Sequence, residues 1–113
     1  MQIVTHSGKF HADDVLAWAL LRCFLSEELE LIRTRDQAVM DSADLVFDVG
    51  NLYSPEARRF DHHQNEYQGA LSSAGMILNW LYAEQKMPKS LYSRLQEQVV
   101  DYVDAVDNGR IEV

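Results

Sequence analysis

Cysteine is almost absent from this chain. Cys23 is the single one in 113 residues, so there can be no internal disulfide framework and no thiolate-built structural zinc site. Positive charge is also scarce: ten Lys and Arg stand against 18 Asp and Glu, a formal charge of −8. A surface that grips nucleic acid by its phosphates needs the opposite balance. No apolar run is long enough to span a bilayer, and Met1-Gln2-Ile3-Val4 carries no basic segment of the kind that opens a signal peptide. The expectation is a cytoplasmic, reducing compartment and no membrane partner. Repeats, low-complexity tracts and interdomain linkers are missing too, which leaves one globular domain over residues 1–113. Its 47% hydrophobic content suffices for a modest core.

What is present alternates between two periods. Gln2 to Thr5 is a short β-prone run, and Asp13, Leu16, Ala17, Leu20, Leu21 and Phe24 then recur at the spacing of one helical face. Leu29 to Thr34 reads as a second strand, Asp36 to Met40 as a short helix or turn, and Asp44 to Val49 as a buried third strand closed by Gly50. Pro55, Glu56, Arg58 and Arg59 mark a surface loop, after which Phe60 leads on. Ser72-Ser73 caps a helix with Met76, Ile77, Trp80 and Leu81 inward. A last helix opens near Pro88 and turns Leu91, Leu95, Val99, Tyr102 and Val106 to the core. Strands joined by helices at this spacing predict a layered α/β domain with a mostly parallel sheet flanked by helices. Ligands of such sheets bind beyond the carboxyl ends of the strands, where His6 and Asp48 fall.

The four histidines all lie in clusters that also hold carboxylates: Thr5-His6-Ser7-Gly8-Lys9-Phe10-His11-Ala12-Asp13-Asp14 and Asp61-His62-His63, with Phe47-Asp48-Val49-Gly50 between them. Mixed imidazole and carboxylate donors suit manganese, iron or zinc; an all-oxygen shell would suggest magnesium or calcium. A carboxylate such as Asp48 can bridge two cations about 3.5–4 Å apart, a pair that activates water while clamping phosphoryl oxygens. The chemistry expected is that of a two-metal phosphoesterase.

In order and content these motifs resemble the DHH phosphoesterase superfamily, which includes RecJ-type nucleases and family II inorganic pyrophosphatases. Together with Phe60-Asp61-His62-His63-Gln64, Leu71-Ser72-Ser73-Ala74-Gly75 and Asp104-Ala105-Val106-Asp107-Asn108-Gly109, they are still more similar to the MYG-type metal-dependent hydrolases, described as exonucleases. The resemblance runs over essentially the whole chain. It implies a DHH-phosphoesterase-like fold and two divalent ions, manganese by preference, with zinc or iron as alternatives. It further implies that His6, His11 and Asp48 hold one metal, and that Asp13, Asp48, His62 and a late aspartate hold the other. Asp107 is the choice for that last ligand, with Asp104 one helical turn away. Asp61 would orient a ligand from behind, His63 would face the substrate phosphate, and Ser72, Ser73 and Gly75 would offer backbone amides to an anion. The substrate expected is a phosphorylated small molecule or a short oligonucleotide.

The chain departs from the pattern at two points. His11 stands where most of the wider superfamily has aspartate, though the MYG-type pattern also has histidine. Relatives of both kinds are longer and carry a second domain that closes over the substrate, so residues 1–113 are expected to be the metal-binding domain without that cap. Singly, each residue has an ordinary explanation: Asp13 as an acid favoured by a helix N-terminus, Ser72 or Ser73 as an N-cap, Asp48 as a turn residue, Arg58 and Arg59 as surface charges. The conjunction favours the site. An enzyme is therefore weighed against a non-catalytic metal-binding or assembly module derived from one. Aromatic positions expected at the surface, Trp18 and Tyr92, point to a homo-oligomer.

Overall fold

The computed structural model describes residues 1–61 and 72–100. Its sheet is built from β1 (Gln2–Thr5), β2 (Glu30–Arg33), β3 (Leu45–Phe47), β4 (Tyr53–Ser54) and β5 (Arg59–Phe60). The strand order is β2-β1-β3-β5-β4, parallel throughout except for the antiparallel β4–β5 pair. Helices α1 (Ala12–Phe24), α2 (Gln37–Ser42), α3 (Ser73–Ala83) and α4 (Lys89–Leu95) complete the described part, with a π-helical turn over Gln96–Val100. The α/β class and the mostly parallel sheet agree with the sequence pattern.

Alternation along the strands separates two cores. Successive side chains of a strand point to opposite faces, so Ile3, Leu45 and Phe47 join one buried cluster while Val4 and Val46 join another. The larger cluster takes Ala17, Leu20 and Leu21 from α1 and Ala74, Ile77 and Leu81 from α3. The smaller is closed by Met40 of α2, with Ala43 and Val49. The sheet is thus covered by α1 and α3 on one face and by the short α2 on the other. Its central strands are buried on both sides, which is why their sequences run as continuous apolar stretches.

Three sequence expectations are corrected. The third strand is shorter than Asp44 to Val49, because Asp48 (φ 56°), Gly50 (φ 96°) and Asn51 (φ 57°) adopt left-handed backbone that ends the extended run. The segment around Pro55 is more than a loop: β4, a 3-10 turn over Pro55–Ala57 and β5 add two strands to the sheet. Two-residue strands are too short to show alternation, and the charged residues between them mask the signal. Finally, Trp18 and Tyr92 are half-buried against the larger core, and Tyr92 stacks on Tyr82 and donates to Asn79 Oδ1 at 2.6 Å. The last helix opens at Pro88 as expected; its further inward positions, Tyr102 and Val106, lie outside the described residues.

Candidate metal centre

The sheet order reverses between β1 and β3: β2 lies on one side of β1, and β3, β5 and β4 on the other. Connections leaving the carboxyl ends of the two central strands therefore part, and a crevice opens between them. A cleft of about 600 Å³ lies there, lined by His6 and His11 from the β1–α1 connection, Asp48 from the end of β3, and Asp61 just after β5.

Inside the cleft, His6, Asp14 and Asp48 converge, each buried and each offering a ligand atom within 4.8 Å of the others. His6 Nε2 is 2.7 Å from Asp14 Oδ2 and 3.6 Å from Asp48 Oδ2. Asp14 Oδ2 also accepts from the His11 amide at 3.0 Å, so this acid in the first turn of α1 reaches back to the residue preceding the helix. Its other oxygen, Oδ1, is buried with no hydrogen-bond partner. A buried carboxylate oxygen without a donor is costly, and a divalent cation would satisfy it. One imidazole and two carboxylates, one of them with an orphaned oxygen, form a donor set that fits a borderline divalent ion.

Protonation says the same. Burial first, then contact with Asp14, then the negative charges of Asp13, Asp14 and Asp61 push the Asp48 carboxyl up to about 10. Burial pushes Asp14 the same way, but contact with Asp48, the His11 amide and His6 together hold it below its ordinary value. At neutral pH Asp48 is thus protonated and Asp14 ionised. Gly8 N–H donates to His6 Nδ1 at 3.0 Å, so Nε2 carries the imidazole proton and donates a hydrogen bond to Asp14 Oδ2. A cation held by this group would take the place of that proton.

The remaining sequence-predicted residues divide. Asp13 is buried on α1, and its two oxygens accept from the amides of Ser73, at 3.2 Å, and Ala74, at 2.7 Å. The amides at the start of α3, expected to meet an anion of the substrate, meet this internal carboxylate instead. Ser72 is the N-cap of α3, its Oγ accepting from Gly75 N at 3.2 Å. Ser73 Oγ donates to Phe60 O at 2.7 Å and faces Asp48 Oδ1 at 3.3 Å, so its hydroxyl helps to place Asp48. Asp61 accepts from Asn51 N at 2.8 Å, and Asp48 N donates to Phe60 O at 2.9 Å; both ends of the left-handed loop carrying Asp48 are tied to β5 and the residue after it. His11 is exposed, with Nδ1 3.8 Å from Asp14 Oδ2. His62, His63 and Asp107, with the alternative Asp104, lie outside the described residues.

Asp14 is the member of the centre that sequence reasoning passed over in favour of Asp13. The signal was available in the spacing. In a helix opening at Ala12, adjacent acids at 13 and 14 point about 100° apart, so one meets α3 while the other meets His6.

A family model described as "Uncharacterised protein family (UPF0160)" matches residues 2–113. Among similar proteins, the MYG1 protein of Chlamydia pneumoniae is 50% identical over 109 residues, 96% of this chain and 38% of the relative. The MYG1 exonuclease of Homo sapiens is 39% identical over 133 residues, 96% of this chain and 35% of the relative. The MYG1 protein of Dictyostelium discoideum is 35% identical over 127 residues, 96% of this chain and 39% of the relative. The chain thus spans less than two-fifths of the length of these relatives. No solved structure matches it.

Proposed function

The chain belongs to the MYG1 family, and on that premise we propose that it is the metal-binding domain of a divalent-metal-dependent phosphoesterase of exonuclease type. The observation that carries the reading is the buried convergence of His6, Asp14 and Asp48 at the strand ends, with Asp14 Oδ1 lacking a donor. A divalent cation held there by His6, Asp14 and Asp48 would supply positive charge against phosphoryl oxygens and lower the pKa of water. We take the ion to be manganese, with zinc or iron as alternatives; His62 and Asp107, together with Asp48, would hold a second ion. His63 is assigned the developing phosphate charge.

The chain's own residues then do the positioning. Ser73 and the left-handed loop fix Asp48, the His11 amide fixes Asp14, and the Gly8 amide fixes the His6 ring. The substrate is proposed to be a phosphodiester in a short oligonucleotide or a phosphorylated small molecule; the mammalian relatives' name, exonuclease, favours the former. The scarcity of positive charge, ten Lys and Arg against 18 Asp and Glu, favours a second reading, a metal-binding module without turnover of its own.

The test is calorimetric titration of chelator-stripped protein with manganese, followed by hydrolysis assays on a labelled oligonucleotide and on pyrophosphate, with Asp48→Asn alongside. Metal-dependent cleavage that Asp48→Asn abolishes is expected. Metal binding without turnover would select the second reading, and a parent protein that binds no divalent ion would sink both.

A further inference from the structure

Most arginines near the centre are already engaged. Arg33 donates to His6 O and Gly8 O and lies 4.1 Å over the Phe10 ring, holding the β1–α1 connection in place. Arg59 donates to Met40 O and Ala43 O at the end of α2, both at 3.2 Å, and Arg58 lies over Trp80. These contacts account for Arg58 and Arg59, which the sequence left open between surface charge and phosphate contact.

Arg35 is different. It lines the metal cleft together with Lys9, yet forms no ion pair or hydrogen bond among the described residues. Its backbone is held on both sides, since Thr34 N donates to Thr5 O at 2.8 Å and Asp36 caps α2. Gly8 lies between Arg35 and the metal centre: a Cβ there would stand 3.2 Å from His6 Nδ1 and 3.4 Å from Arg35 Nη2. The missing side chain leaves open the gap between imidazole and guanidinium.

In a chain where acids outnumber cations 18 to ten, a guanidinium left without a carboxylate among the described residues, beside an acidic metal group, is placed for an anion that arrives from outside. We propose that Arg35, assisted by Lys9, binds a phosphate of the substrate while His6, Asp14 and Asp48 hold the metal beside it. The inference rests on the phosphoesterase reading for its substrate class, and its geometry stands on the cleft alone. A planar guanidinium can grip two phosphate oxygens at once, and Lys9 adds a mobile point charge. The residue pair would select an anionic ester over a neutral one.

Inorganic phosphate is the probe, titrated into the full chain with manganese and again with chelator, at constant ionic strength. Parent, Arg35→Gln, Arg35→Lys and Asp48→Asn are compared. Arg35→Gln is expected to weaken phosphate binding roughly tenfold or more, as fits a lost charge-assisted contact, with manganese affinity and melting temperature unchanged. Arg35→Lys should recover part of the loss. Phosphate binding equal in parent and Arg35→Gln, or absent from the parent in both conditions, would overturn the proposal. Arg35-dependent phosphate binding in a parent that takes up no manganese would leave this site standing and remove the metal reading instead.

Discussion

Asp48 retains a proton at neutral pH because it is buried among acids, and that proton is the residue-scale signature of a cation site. A carboxyl raised to about 10 from an ordinary 3.8 stabilises the fold fully below the ordinary value and loses that contribution as pH rises towards 10. Asp14, shifted the other way, matters only below its ordinary value, where its contribution is lost as pH falls. Urea unfolding of chelated protein should therefore show stability declining from about pH 5 to about pH 9. Asp48→Asn, which keeps the shape and cannot ionise, should lack that decline and be more stable than the chelated parent at neutral pH. Identical pH slopes in the two proteins would exclude Asp48 as the titrating group. With manganese present the parent's slope should reverse, since metal displaces the proton.

At the scale of elements, the junction between α1 and α3 sets the architecture of the centre. Asp13 satisfies two amides at the N-terminus of α3, where a negative charge also meets the helix dipole. Asp13→Ala leaves both amides buried without acceptors, and a loss of about 2–4 kcal/mol is expected by urea unfolding. Manganese affinity measured on the same variant separates its two roles. Lost stability with retained affinity identifies a residue that joins helices; lost affinity in a variant of parental stability identifies a ligand. The long helices were legible because thirteen residues of α1 and eleven of α3 show apolar periodicity over several turns. The β4 and β5 strands were not, since their pairing is specified by the neighbouring β3 and not by any pattern of their own.

Over the whole molecule, an excess of acid gathers partly at one place, and a cation bound only by the folded state should stabilise it. At a hundredfold excess of free manganese over its Kd, linkage gives about 2.7 kcal/mol. For a chain of this size that raises the melting temperature by roughly 10 °C. The increase should vanish in Asp48→Asn; a melting temperature indifferent to manganese in the parent would count against a site formed on folding. No helix among the described residues is long and apolar enough to cross a membrane.

The sequence by itself determined the α/β class, the mostly parallel sheet, the family, and the placing of His6 and Asp48 at strand ends. Those follow from periodicity and from motif order, both of which are written along the chain. Tertiary structure decided which of two adjacent acids joins His6. Asp13 and Asp14 have the same chemistry, and only the docking of α3 against α1 takes one of them for the amides of Ser73 and Ala74. It also decided what the arginines around the cleft meet: Arg33, Arg58 and Arg59 find carbonyls or rings brought to them by the fold, while Arg35, with no ion pair or hydrogen bond among the described residues, lines the cleft. Partners of this kind are set by distance in space, and neighbouring residues in sequence carry no information about them.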